Sequence, residues 1–260
     1  MEEDPMERLR RMLEEMKLHK IAEELDAVLS EAERQGRATF EVLERLFAME
    51  YAALVQRRIE RRIKDSKLDE LKLLDDFDFE FQKSIDKRQI MDLATLGFAE
   101  RGQWLILAGS SGTGKSHIAK ALLLLCCKNQ YRCRYTTASD MLRRLLSGLA
   151  DDTVEEKLKQ YVRPQVLLID EIGFDRLEQE ESRKASLFFK VVEGRYRKNS
   201  TILTTNIDFK ALGDYLGDPV ITASLVDRMV HHAVIINIEG PSYRMHESEV
   251  LNAPPDKEKK

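Results

Sequence analysis

Residues 6–64 contain no proline and a single glycine, Gly36. Leu9, Leu13, Met16 and Ile21 recur at helical spacing, and so do Leu43, Phe47, Leu54 and Ile59 beyond the break at Gly36-Arg37-Ala38-Thr39. Thr39 followed by Glu41 and Val42 suits a helix start. The spacing predicts a helical module of at least two long helices over residues 1–66. From about residue 103 the period changes. Short apolar runs at 104–108, 132–136, 166–169, 200–204 and 234–238 read as strands. Helical stretches at 115–129, 138–147, 154–161, 180–197 and 219–231 follow or separate them. Strands alternating with helices predict βαβ units and a central, mainly parallel five-stranded sheet covered on both faces. This α/β domain is placed at 67–245, with 65–102 linking the two modules and 246–260 as a flexible tail.

Composition narrows the class. The 260 residues carry 42 Lys+Arg against 46 Asp+Glu, a net charge of −4, so any nucleic-acid contact must come from local patches. One such patch is 57–67, with six basic and two acidic side chains. It reads either as a solvated helix face or as a nucleic-acid or partner surface. Three cysteines, two of them adjacent, form neither a disulfide framework nor a zinc spacing. No apolar run is long enough to cross a bilayer, and residues 1–7 lack a signal-peptide core. The expectation is a cytoplasmic protein with no membrane partner.

Chemistry concentrates in two places. Gly109-Ser-Ser-Gly112-Thr-Gly114-Lys115-Ser116 fits G-x-x-x-x-G-K-[ST] in full, between an apolar strand and a helix. Its glycines let the backbone amides of 112–116 turn toward a polyphosphate. Lys115 would reach the β- and γ-phosphates, and Ser116 would ligate Mg²⁺. Val166-Leu-Leu-Ile-Asp170-Glu171 is an apolar strand ending in two carboxylates. Asp170 would hold the Mg²⁺ through water, and Glu171 would polarise the attacking water. One strand intervenes between these two motifs, which resembles the additional-strand class of P-loop ATPases. Asn206, after the next strand, could hydrogen-bond the γ-phosphate and that water, or simply form a turn. Arg228 could reach a neighbouring subunit's γ-phosphate, or pair with Asp227 or another surface acid. His231 and His232 read as helix-end groups rather than metal ligands.

Together these residues resemble the IstB-like transposition helper ATPases, close to the DnaC-type helicase loaders of the AAA+ superfamily. The likeness runs from Asp75-Asp-Phe77-Asp-Phe79 through the phosphate loop with His117, Leu167-Leu-Ile-Asp-Glu-Ile-Gly173, Thr204-Thr-Asn206 and Leu225-Val-Asp-Arg228-Met-Val-His-His232 to Gly240-Pro-Ser-Tyr-Arg244. The resemblance implies an ATP- and Mg²⁺-dependent ATPase that binds double-stranded DNA as a homo-oligomer, remodels it and stimulates a DDE-type transposase. It implies Gly109, Ser110, Ser111, Gly112, Thr113, Gly114, Lys115, Ser116 and His117 as the nucleotide-binding segment. It assigns Mg²⁺ to Ser116 and Asp170, catalysis to Glu171 and Lys115, a sensor role to Asn206 and a trans-acting finger to Arg228. It further implies DNA contacts from 139–161, by Arg143, Arg144, Lys157 and Lys159. Too few residues follow the fifth strand for the usual helical lid, so the lid is reduced or absent, and Arg244 is open as a second sensor.

Three other functions remain to be weighed. A replicative helicase loader would share fold and catalysis and differ only in its partner. A small-metabolite kinase would need an acceptor pocket and lid residues that the sequence lacks. A non-hydrolysing nucleotide-gated module would be expected to lose Glu171 or Asn206, and both are present.

Overall fold

The computed structural model describes residues 3–173, 181–208 and 211–252. The chain divides into two compact units, Met1–Arg61 and Arg62–Lys260. The division falls inside the basic stretch 57–67, a few residues before the boundary expected at 66.

The first unit is helical: α1 (Pro5–Glu15), α2 (His19–Gln35) and α3 (Thr39–Ser66), the last running on into the second unit. The break at Gly36 is a left-handed C-cap (φ 61°) whose N–H bonds the Glu33 carbonyl, a conformation glycine adopts without a Cβ penalty. A second break at Lys17 (φ 60°) divides what the spacing of Leu9 to Ile21 suggested was one helix. Ile21, Leu25, Val28 and Leu46 form the core of this unit. Glu50 is buried on α3 and accepts from the backbone N–H groups of Lys20 (2.7 Å) and Ile21 (3.1 Å), so it caps α2 from another helix. Burial pushes its carboxyl up, but the Arg57 hydrogen bond (2.8 Å) and the two N–H donors outweigh that and hold it below the usual carboxylate range.

In the second unit come α4 (Lys87–Ala94), α5 (Gly97–Glu100), β1 (Trp104–Gly109), α6 (Lys115–Lys128), β2 (Cys133–Thr137), α7 (Ala138–Ala150), α8 (Val154–Val162) and β3 (Val166–Ile172). They are followed by α9 (Glu181–Arg195), β4 (Ser200–Thr205), α10 (Leu212–Leu216), α11 (Pro219–Val230), β5 (Ala233–Ile238) and α12 (Tyr243–Asn252). The five strands are parallel, in the order β2-β3-β4-β1-β5. Leu105, Ile106, Leu107 and Val166 to Ile169 are fully buried, as strands covered on both faces require. Each such side chain contributes about 1.5–3 kcal/mol. One layer packs Ile118, Leu122, Ile90 and Phe98 beneath the sheet; the other packs Met141, Leu145, Phe188 and Leu225 above it.

Residues 246–252 belong to α12, while 253–260 lie outside the described residues. The segment 65–102 is more than a link, since Leu74, Ile85, Ile90, Leu93 and Leu96 are buried in the same core as β1. No described helix is long and apolar enough to cross a membrane.

Candidate nucleotide site

Parallel strands place all their C-terminal ends on one edge of the sheet, and the two motifs meet there. Gly109 (φ 146°) passes so close to β5 that a Cβ would lie 2.1 Å from the Ile238 carbonyl oxygen. Gly114 (φ 93°) caps α6, and a Cβ there would strike the Phe77 ring at 2.5 Å. The loop is therefore held by glycine conformations and by neighbours that admit nothing larger. Its peptide N–H groups lead into the start of α6, a site suited to anions.

Lys115 is buried and donates to the Ser110 carbonyl oxygen at 2.6 Å. Burial holds its pKa below the usual lysine value, against the pull of Asp170 and with the added push of Arg244. Ser116 Oγ donates to Asp170 Oδ1 at 2.8 Å. Thr204 Oγ1, on β4, donates to the same oxygen at 2.5 Å and accepts from the Glu171 N–H at 2.9 Å.

A register shift between β3 and β4 lies at these carboxylates: Ile169 pairs with Leu203 and Ile172 with Thr205, so β3 holds one extra residue. That bulge brings Glu171 to φ 63° and an exposed position, while Asp170 stays buried. Neighbouring carboxylates thus receive different environments. One is fixed by two hydroxyls, and the other faces the cleft. Asn206 is exposed beside them, with a Cβ built on Gly173 coming within 2.8 Å of its Oδ1.

These residues line a cleft of about 510 Å³ together with parts that sequence reasoning missed. The segment 69–82 crosses α6 and the loop. Asp69 accepts from Lys120 Nζ and Tyr135 Oη at 2.9 and 3.1 Å. His117 Nε2 bonds the Leu73 carbonyl at 2.7 Å, and buried Gln82 donates to the Thr113 carbonyl at 3.3 Å. From the other side, the Tyr243 N–H donates to the Gly112 carbonyl at 2.9 Å, and Arg244 of α12 enters the cleft. Asp-Phe-Asp-Phe and the Gly-Pro-Ser-Tyr-Arg ending were visible as motifs, but nothing in their spacing says what they touch.

A Ser hydroxyl and one Asp carboxylate fit Mg²⁺, which keeps its waters and binds through one or two carboxylates plus phosphate. No cluster of three or more His, Cys, Asp or Glu suited to a metal occurs among the described residues.

Other expected residues lie elsewhere. Arg228 is not in this cleft: it pairs with Glu193 (2.6 Å), bonds Ser224 and lies 4.9 Å from the Phe189 ring centroid. His231 caps α11 and meets Tyr196 Oη at 2.7 Å. Arg143 pairs with Asp140 on α7, and Lys157 with Asp151 at 3.0 Å. Arg144 is exposed on α7, and Lys159 lines a second cleft beside β2. Arg195, which opens the basic run Arg195-Tyr-Arg-Lys198, is fully buried. It donates to the carbonyls of Tyr161 (2.7 Å), Pro164 (2.8 Å) and Ser200 and to Thr201 Oγ1 (2.8 Å), and burial pushes it down to about 9. It ties α9 to the sheet and does not face solvent.

In this sheet order β4 lies between the phosphate-loop strand and the strand that carries Asp170 and Glu171. Fold and site therefore define a P-loop nucleotide-binding protein with the AAA+ architecture. The chain belongs to the family of IstB-like ATP-binding proteins, whose model matches residues 11–250. It is 35% identical to a protein of insertion sequence IS232 from Bacillus thuringiensis subsp. berliner, over 90% of this chain and 92% of the relative. It is 34% identical to a protein of IS21 from Pseudomonas aeruginosa, over 93% and 90%. Each relative is named as an inferred ATP-binding protein of its element. Among solved structures, the fold resembles the DnaC helicase loader (TM-score 0.50, 24% identity, 66% of this chain and 96% of that one). It also resembles AMPPCP-bound DnaA from Aquifex aeolicus (TM-score 0.53, 21%, 74% and 59%).

Proposed function

We propose that this chain is a Mg²⁺-dependent ATPase that binds duplex DNA as a homo-oligomer in the cytoplasm and assists a DDE-type transposase. The observation that carries the ATPase reading is the bulge in β3, which buries Asp170 under two hydroxyls and turns Glu171 into the cleft. The loop amides and Lys115 bind the polyphosphate, and Lys115 exchanges its Ser110 carbonyl for phosphate oxygens. Ser116 and Asp170 hold Mg²⁺, which neutralises charge on the β- and γ-phosphates. Glu171 accepts a proton from the attacking water, with its backbone fixed by Thr204. Asn206 orients that water, and Arg244 adds positive charge on the α12 side.

Arg228 acts in trans. Within one chain it is satisfied by Glu193, so service to a neighbour's γ-phosphate requires that it exchange this pair. Arg143, Arg144, Lys157 and Lys159 contact DNA phosphates. The partner assignment draws on relatives from insertion sequences that match 90% and 93% of the chain, most of the first unit included. The DnaC likeness covers 66% of the chain and bears on the fold. Steady-state ATP hydrolysis by the purified protein, with and without duplex DNA, tests the reading. Hydrolysis that needs Mg²⁺ and rises with DNA is expected, and absence of turnover under both conditions would overturn it.

A further inference from the structure

The opposite edge of the sheet is built differently. Because all strands are parallel, the segments entering them lie side by side, in the order 132, 163–165, 196–199, 101–103 and 231–232. The Ser200 N–H bonds the Gln165 carbonyl, the Val166 N–H bonds the Arg132 carbonyl, and Lys198 lies against Gly102. Four of these segments bring exposed cations: Arg132, Arg163, Arg197 with Lys198, and Arg101. The fifth brings His231 and His232. None of the five cations is in an ion pair with a described residue, although this chain is net acidic and pairs many of its other surface charges. Arg101 bonds the Gln103 side-chain carbonyl and Arg197 meets a ring nitrogen of His232, so neither has a carboxylate partner.

At the β2 end the row opens into a cleft of about 580 Å³ between β2 and α8, lined by Arg132, Arg134, Lys159 and Arg163 with Asp65 and Glu156. The Arg134 Nε is buried there with no hydrogen-bond partner among the described residues, and its guanidinium lies 5.9 Å from the Tyr161 ring centroid.

We propose that this N-terminal edge is a further contact surface for the duplex DNA backbone, adding Arg132, Arg163, Arg197, Lys198 and Arg101 to the set that includes Lys159, and lying at the opposite edge of the sheet from the nucleotide. It rests on the reading that the chain binds DNA. Strands about 4.8 Å apart make the row roughly 19 Å long. Duplex DNA carries a charge every ~1.7 Å of axis, so several phosphates fall within reach of it. A protein partner is the weaker match. Such interfaces centre on aromatic or aliphatic anchors, and no exposed large hydrophobic side chain lies in these five segments.

The test is fluorescence anisotropy with an arbitrary duplex over about 50–200 mM salt. It compares the full-length wild type, Arg132→Ala/Arg163→Ala/Arg197→Ala and the corresponding triple lysine variant. We expect the alanine variant to bind at least tenfold more weakly at low salt, with its log–log salt slope reduced by roughly 2–3. Fluorescent ATP binding should be unchanged, and the lysine variant should retain most DNA affinity. Wild-type affinity and slope in the alanine variant would overturn the proposal while leaving DNA binding intact. So would a lysine variant as impaired as the alanine one, because the loss would then not follow charge. A wild-type protein that binds no duplex, with or without ATP, would overturn both this surface and the DNA reading beneath it.

Discussion

The two edges of one sheet use charge in opposite ways. At the C-terminal edge Lys115 and Asp170 are buried and bonded to the chain, and Gly109, Gly112, Gly114 and Glu171 adopt positive φ. Such a site is preorganised, so small displacements carry large costs. At the N-terminal edge Arg132, Arg163 and Arg197 are exposed, separate and without carboxylate partners among the described residues. Each acts through a screened field, and losses there are graded and salt-dependent. The proposed nucleotide site and the proposed DNA surface thus lie at opposite edges of one sheet in a chain that is acidic overall.

That contrast predicts a ranking of effects. Lys115→Ala should be the most severe, because it removes the cation for the β- and γ-phosphates. ATP affinity measured with a fluorescent analogue should fall at least a hundredfold, about 2.7 kcal/mol or more. An undiminished affinity would mean that the cleft binds nucleotide in some other way. Thr204→Val should come next, since it strips a bond from Asp170 and the anchor of the Glu171 N–H. It should lower kcat by about tenfold to a hundredfold, the scale of one positioning interaction, with ATP affinity little changed. An effect confined to KM would place Thr204 in binding instead.

Arg228→Ala should bind ATP normally and hydrolyse it poorly, and mixing it with Lys115→Ala should restore part of the turnover. Full activity of Arg228→Ala alone, or no rescue in mixed oligomers, would leave Arg228 as the partner of Glu193 and nothing more. Smallest is a control remote from both edges. Glu50→Gln should cost the first unit about 1–2 kcal/mol, as loss of a helix cap does. The Glu50 carboxyl is held below the usual carboxylate range in the folded chain by Arg57 and the two N–H donors. Its contribution is therefore fully present above that range and lost as the pH falls through the folded pKa. Thermal melts of wild type and Glu50→Gln should accordingly converge in acid and diverge toward neutrality.

The strands and most helices were legible because buried parallel strands are unbroken apolar runs and the helices between them keep their period. The phosphate loop was legible because only glycine satisfies its backbone. The role of Thr204 was not, since a threonine in a β strand looks like any β-branched residue until β4 is placed beside β3. Asp69, Phe77 and Gln82 were hidden for a related reason. They act through contacts with residues 31 to 66 positions away, which no local pattern encodes. The burial of Arg195 was not legible, because a buried arginine that bonds carbonyls has the same letters around it as a surface cluster. The basic edge was invisible because its cations are scattered over roughly a hundred residues and become neighbours only when the sheet forms.

On the proposed reading, the bulge in β3 divides labour between Asp170 and Glu171. Glu171→Gln tests it most directly, with ATP binding and single-turnover hydrolysis measured on the same preparation. Near-wild-type ATP affinity is expected, with a hydrolysis rate lowered by at least about a hundredfold, the general-base contribution. Wild-type turnover by Glu171→Gln would contradict it.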